Sequence, residues 1–146
     1  MGYQHIFQRA SFAHVCGDSI IAAIAGLALY ASFPPVGWWW LSVPAFALFV
    51  SRIDEARAPR ALTVTFVFGM SFWVPLIDWI PLAVGTTPPW FVLALVQTFF
   101  FMGWVVFARW TQLWRWARGP LVQAFLFALT WAGVDAARSR WPWSGF

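Results

Sequence analysis

The chain has 146 residues and a formal net charge of +4; 62% of its residues are hydrophobic and only 10% are charged. Soluble globular domains have about 45–50% apolar and about 25% charged residues, and disordered chains are poor in apolar side chains. The composition therefore excludes a soluble domain and a disordered chain, and predicts a protein that is dissolved mainly in lipid.

Apolar runs separated by turns and charges predict an all-α fold, a polytopic membrane bundle of about five transmembrane helices. A helix needs about 20 apolar residues to cross the hydrocarbon core of a bilayer. In chain order, the predicted spans are residues 15–33, 38–50, 61–77, 90–108 and 120–134. We expect residues 1–14 to form a cytoplasmic N-terminal segment and residues 15–146 to form a transmembrane domain that is incomplete at its C-terminus.

Prolines and acidic residues mark the ends of these spans. The segment Pro34–Gly37 is a turn signal after the first span. The second span is short and contains Pro44, which predicts that it is kinked or leans on a neighbouring helix. Asp78 marks the end of the third span, and the segment Ile80–Pro89 has too many prolines to continue a helix. The fifth span is expected to extend through Val134–Arg140.

The arginines predict the orientation of the bundle. All nine basic residues are Arg. Arg9 precedes the first predicted span, and most of the others lie in the connections after the second and the fourth span. The connections 34–37 and 78–89 contain no basic residue. Because cytoplasmic loops carry the excess of positive charge, the N-terminus is predicted to be cytoplasmic and these two connections to face outward. The arginines form short clusters and not one continuous basic face, which also argues against a nucleic-acid partner.

Tryptophans agree with this orientation. Trp38–Trp40, Trp79 and Trp90 lie at predicted outer ends of spans, and Trp110, Trp114 and Trp116 lie at a predicted inner end. Indole rings prefer the headgroup layer, because they have an apolar body and a polar N–H. The sequence therefore predicts an aromatic outer interface.

The residues needed for side-chain catalysis are scarce. The chain has no Lys, one Glu (Glu55), one Cys (Cys16) and two His, so we predict no catalytic residue, metal site or cofactor within it. Asp18 is expected to lie at an interface near the start of the first helix; the alternative is a proton relay. Asp135 and Arg138 are three residues apart and are expected to pair on one helix face; the alternative for Arg138 is recognition of a lipid phosphate.

Three pieces of the sequence occur in a distinctive order: Phe33–Trp39, then Phe68–Trp73 with Asp78–Ile80, then Leu129–Arg138 with Trp141–Phe146. Together they resemble the apolipoprotein N-acyltransferases. The segment Phe33–Trp39 is similar to the family's first periplasmic turn, and Phe68–Trp73 followed by Asp78–Ile80 is similar to its third span and outer end. The most specific piece is Leu129–Arg138 followed by Trp141–Phe146, which is similar to the family's Trp…acid…Arg stretch and the opening of its Gly-Phe-Pro-Trp segment. Asp135 stands where the family more often has Glu.

The resemblance implies a multi-pass bacterial inner-membrane enzyme that completes lipoprotein maturation. Such enzymes transfer an acyl chain from a phospholipid donor to the amino group of the diacylglyceryl-modified N-terminal cysteine of an apolipoprotein. The reaction passes through a thioester on a cysteine, supported by Glu and Lys in a periplasmic nitrilase-like domain. A chain without lysine cannot supply that triad, so we expect a membrane platform that ends before the catalytic domain and is inactive alone.

We expect this platform to hold a catalytic domain at headgroup height and to admit acyl chains sideways. Its predicted substrate- or lipid-binding residues, at the outer rim, are Trp79, Trp90, Asp135, Arg138 and Trp141. Two alternatives remain open. One is a non-catalytic scaffold for a polyprenyl-phosphate mannosyltransferase, to which relatives in high-GC Gram-positive bacteria are linked. The other is a small transporter subunit, although transporters have charged or helix-breaking residues in mid-span and these spans have almost none.

Overall fold

A computed structural model of the chain describes the backbone of residues 2–112 and 119–140, and the side chains within residues 15–54, 56–111, 119–137 and 139–140. In this part of the chain every regular element is helical, which confirms the predicted all-α class. In chain order the helices are α1 (Gly2–Ala31), a 3₁₀ turn (Trp39–Leu41), α2 (Ser42–Glu55), α3 (Ala58–Leu76), α4 (Ile80–Val84), α5 (Pro88–Gln112) and α6 (Pro120–Arg140).

Two of these helices are long and apolar enough to cross a bilayer. They are α5 over Pro88–Thr111 and α6 over Pro120–Ala137. The apolar part of α1, Val15–Ala31, is shorter. The expected extension of the fifth span is confirmed, because α6 continues to Arg140. The number of five spans and their orientation stay predictions.

Several prolines lie in the first turn of a helix. Of the two alternatives for the second span, a kink or packing against a neighbour, the structure supports the second, because Phe49 of α2 stacks on Phe68 of α3. Pro44 is the third residue of α2. The first backbone N–H groups of a helix have no intrahelical acceptor, so a proline there removes no bond. The end of α3 at Leu76 confirms that Ile80–Pro89 does not continue the third helix. That segment nevertheless begins with α4, which Gly85 ends at a φ of 79°.

The chain divides into two compact units, residues 1–98 and 99–146. In the first unit, α1 and α3 run in the same direction, because Asp18 of α1 pairs with Arg60 early in α3 while Gly26 lies against Phe68 further along. Helix α2 runs the opposite way, and its Arg52 returns to Asp18. The first three helices therefore form an up-down-up bundle.

Close approach of helix backbones in the first unit depends on two glycines. A β-carbon at Gly26 would lie 2.5 Å from the carbonyl oxygen of Phe68, and one at Gly69 would lie 2.8 Å from Cγ2 of Thr98. Small residues at such crossings are the usual way in which helices pack closely in lipid. Only glycine leaves room at these two crossings.

The core of the first unit is largely aromatic. Phe49 of α2 and Phe68 of α3 are fully buried, and their rings stack with centroids 4.0 Å apart. Phe46 meets Phe68 edge to face at 6.2 Å. Aromatic pairs in these geometries add about 0.5–1.5 kcal/mol to the effect of burial, so this cluster fixes the register of α2 against α3.

The second unit is built around Trp104 of α5. This side chain is fully buried, and its ring centroid lies 4.5 Å from that of Phe127 and 4.9 Å from that of Trp131 on α6. The indole Nε1 donates a hydrogen bond to Oγ1 of Thr130 at 3.1 Å. One face of α6 is thereby held against the end of α5, while Leu121 and Phe125 on α6 are largely exposed.

Candidate functional site

Two of the predicted rim residues, Trp79 and Trp90, lie in the first unit near the end of α3, but they face different surroundings. Trp79 stands between α3 and α4 and is half exposed. Trp90, near the start of α5, is partly buried and packs against the cluster of Ile77, Ile80 and Ala94.

The indole of Trp90 has a definite hydrogen-bond acceptor. Its Nε1 donates to the carbonyl oxygen of Val74 at 2.9 Å. Val74 belongs to the last turn of α3, where carbonyl groups lack intrahelical donors. Trp90 thus caps α3 and joins it to α5, whereas Trp79 keeps its ring free for contacts outside the unit. Sequence reasoning could not separate these two roles, because both residues follow the same run of turn signals.

Aromatic side chains gather at one end of the first unit. The up-down-up arrangement brings the end of α1, the start of α2 and the end of α3 to the same side. There the ring of Phe33 contacts that of Phe72, with centroids 5.6 Å apart. Trp38 and Trp40 stack on each other at 6.4 Å. We call this the aromatic end.

The opposite end of the same unit carries its buried charge. Asp18 is only 5% exposed, and Arg60 donates to its Oδ2 through both Nε and Nη2. Nη1 of Arg52 lies 4.0 Å from Oδ1. One carboxylate thus joins α1, α2 and α3, and we call this the charged end.

The predicted position of Asp18 near a helix start is therefore wrong. Helix α1 begins at Gly2, so Asp18 lies well inside it. A buried carboxylate needs a charged partner, and Arg60 supplies one from 42 residues further along the chain. A charged residue inside an otherwise apolar stretch was the only signal in the sequence for such a pair.

The remaining predicted site residues belong to the second unit. Asp135 is exposed on α6. The side chain of Arg138 and the whole of Trp141 lie outside the described residues. The pairing of Asp135 with Arg138 therefore stays a prediction.

The described side chains offer exposed indole rings at one end of the first unit and a buried ion pair at the other. Among them, no group of three or more His, Cys, Asp or Glu residues is close enough together to hold a metal ion. The thiol of Cys16 is exposed on α1, two residues before Asp18 and so toward the charged end. At the aromatic end, exposed indole rings offer apolar area and N–H donors, which suits contact with lipid.

Comparisons with known proteins give a family. Residues 25–146 match the family described as the apolipoprotein N-acyltransferase N-terminal domain. An 87-residue segment is 37% identical to the apolipoprotein N-acyltransferase of Mycolicibacterium smegmatis, covering 58% of this chain and 14% of that relative. The chain thus spans only a small part of the relative's length. No solved structure matches the chain. The association with a polyprenyl-phosphate mannosyltransferase stays a prediction.

Proposed function

The chain belongs to the apolipoprotein N-acyltransferase family, whose N-terminal domain it matches over residues 25–146, and from this premise we propose that it is the membrane platform of such an enzyme. The enzyme would transfer an acyl chain from a phospholipid to the amino group of the diacylglyceryl-cysteine at the N-terminus of a lipoprotein. The platform would sit in the bacterial inner membrane and carry the substrates to a catalytic domain.

The observation that carries this proposal is the separation of charge from aromatic residues in the first unit. Asp18, Arg52 and Arg60 lie at one end and Phe33, Trp38 and Trp40 lie at the other. A membrane protein has positive charge on the cytoplasmic side and aromatic rings at its interfaces. This separation supports a cytoplasmic charged end and an outward aromatic end.

The helix lengths are compatible with five spans formed by α1, α2, α3, α5 and α6. Helix α3 has 19 residues, which at about 1.5 Å per residue gives about 28 Å, close to the hydrocarbon thickness of about 30 Å. Helix α2 has only 14 residues, about 21 Å. The 3₁₀ turn before it adds three residues and about 6 Å, so we propose that α2 crosses the membrane with the turn at its outer interface.

Lipid substrates explain why a platform is useful. Both the acyl donor and the lipoprotein acceptor would hold their chains in the bilayer and their reacting groups at the outer headgroup layer. Orienting two reactants in one plane removes much of the entropy cost of their encounter. We propose that Trp79, Asp135, Arg138 and Trp141 contact these lipids, with the Arg138 guanidinium on a phosphate, and that Trp90 holds the rim in shape.

The covalent chemistry would be supplied outside these helices. A thioester mechanism needs a cysteine supported by Glu and Lys, and this chain has no Lys. Cys16 lies toward the charged end, which under this proposal is far from the outer headgroup layer. We therefore propose that Cys16 takes no part in acyl transfer.

A chimera tests the proposed function. Residues 25–146 would replace the corresponding domain of the M. smegmatis acyltransferase, and transfer to a diacylglyceryl-cysteine peptide would be measured in phosphatidylethanolamine vesicles. We expect the chimera to transfer acyl chains, the Arg138→Ala variant to transfer fewer with unchanged insertion, and the Arg140→Ala control to match the chimera. Loss of transfer in a correctly inserted chimera would contradict the platform, as would thioester formation by this chain alone.

The proposed topology has its own test. Compartment-specific tags inserted after Gly37 and after Arg57 should report opposite sides of the inner membrane, the first periplasmic and the second cytoplasmic. The same compartment for both tags would exclude a membrane crossing by α2.

A further inference from the structure

The connection between α1 and α2 exposes an apolar surface that the proposed rim does not include. We define the aromatic turn as residues 33–43. Its large apolar side chains are exposed to an unusual degree, and Trp39 is the most exposed of them at 75%. The exposed members are Phe33, Val36, Trp38, Trp39, Trp40 and Val43.

This exposure belongs to an ordered turn held by its own backbone. Gly37 N–H donates to the carbonyl of Phe33, and Trp38 N–H donates to that of Ala31, both at 2.9 Å. Gly37 has a φ of 72°, which favours glycine. The indoles of Trp38 and Trp40, which flank Trp39 in the sequence, also stack on each other.

The chemistry of the surface indicates what covers it. No charged residue occurs between Asp18 and Arg52, so the turn offers no charge to a protein or nucleic-acid partner. In the described part of the chain, none of the three indole N–H groups donates to a protein acceptor. Apolar rings with free N–H donors match the layer of a phospholipid leaflet where acyl chains meet ester carbonyls and phosphates.

We infer that the aromatic turn is a lipid-docking surface that inserts into the ester and headgroup layer of one leaflet and fixes the depth of the hairpin formed by α1 and α2. This inference rests on the proposed membrane platform. It adds a lipid contact that is separate from the rim and needs no substrate. At the opposite end of the same hairpin, Asp18 of α1 pairs with Arg52 of α2 and with Arg60 of α3. Since these pairs hold the three helices together, the depth of the turn sets the depth of the whole bundle.

Spin labelling in vesicles tests the inference on the complete chain. In a Cys16→Ser background, a nitroxide is attached at Trp39→Cys, and its collisions with oxygen and with a water-soluble nickel chelate are measured in vesicles of phosphatidylethanolamine and phosphatidylglycerol. Ile24→Cys, an exposed position in the middle of the apolar part of α1, and Asp54→Cys, an exposed position toward the charged end, are the controls. We expect the ratio of oxygen to nickel collisions at position 39 to lie between a high value at 24 and a low value at 54.

The possible outcomes separate the inference from the proposed function. A label at 39 as accessible to nickel as the label at 54, with 24 still in hydrocarbon, overturns the docking surface and leaves the platform intact. Low collision rates with both reagents at 39 mean that protein covers the turn, which also overturns the inference. Nickel access at 24 overturns the platform itself. Adding Trp38→Ser and Trp40→Ser should shift position 39 toward water, and an unchanged ratio would refute the role of the two flanking indoles.

Discussion

Helices α3 and α6 are similar in length, with 19 and 21 residues, yet they pack very differently. Helix α3 buries six residues along its length, among them Phe68 and Gly69. In α6, only 11% of the apolar stretch is buried. Both are rich in apolar residues, so apolar composition alone does not decide how much of a helix its neighbours cover.

The difference comes from a few specific contacts. Helix α3 has Arg60 on a buried carboxylate, Gly69 at a close crossing and Phe68 in an aromatic stack. Helix α6 has one aromatic contact region around Trp104 and leaves its other face open. In lipid, where apolar contact with a neighbouring helix gains little over contact with acyl chains, polar pairs and small residues select the partner.

The strongest test of this comparison is the ion pair of the first unit. Asp18→Asn leaves two arginines beside a neutral amide, and breaking a buried pair costs about 3–5 kcal/mol. We expect the low end of that range, because the side chains of Arg52 and Arg60 are 27% and 31% exposed. Thermal unfolding in detergent micelles measures the loss. The exposed Asp54→Asn is the matched control, and equal stability of the two variants would contradict a holding role for Asp18.

A second test concerns the close crossing of α1 and α3. Gly26→Ala places a methyl group against the backbone of Phe68, which cannot move as a flexible side chain would, so we expect a loss of about 1–3 kcal/mol. Gly17 lies in the same helix with nothing within 4 Å of the added carbon. Gly17→Ala should therefore gain up to about 1 kcal/mol from helix propensity. The same unfolding experiment compares them, and a stabilised Gly26→Ala variant would contradict the close crossing.

The smallest effect is expected in the second unit. Trp104→Phe replaces the fully buried indole by a smaller ring and removes the hydrogen bond to Thr130, which together should cost about 1–2 kcal/mol. Leu121→Ala on the open face of α6, where Leu121 is 85% exposed, should change stability by less than about 0.5 kcal/mol. A larger loss of stability for Leu121→Ala than for Trp104→Phe would contradict the assignment of the helix contacts to the Trp104 face of α6.

Local signals in the sequence were enough to predict most of the helices, but they missed α4 and the start of α1 at Gly2. Apolar runs bounded by Pro34, Asp78 and Pro88 predicted where chain segments turn, and the structure has helix ends close to these points. The position of Pro44 was harder, because the same proline kinks a helix in its middle and starts one in its first turn. A shift of two or three residues in where the helix begins decides between these outcomes.

The contacts between helices were beyond the sequence. Asp18 and Arg60 are 42 residues apart, and nothing local to either residue indicates that α1 and α3 run in parallel with these positions at the same level. Trp79 and Trp90 read alike as interfacial aromatics, yet only Trp90 finds a backbone acceptor, in the last turn of α3. Which residues share a level in a bundle depends on helix direction and crossing, and both arise only on folding.

The hydrogen bond from Trp90 to Val74 has a consequence for the connection that it bridges. It joins α3, which precedes residues 77–87, to α5, which follows them. Ile77, Ile80 and Ala94 pack beside it. The covalent link is then not what keeps the two helices together. A protease nick at the exposed Thr86, between α4 and α5, should leave the two pieces associated and co-purifying in mild detergent. This connection is therefore a permissive place for splitting the polypeptide or inserting a reporter.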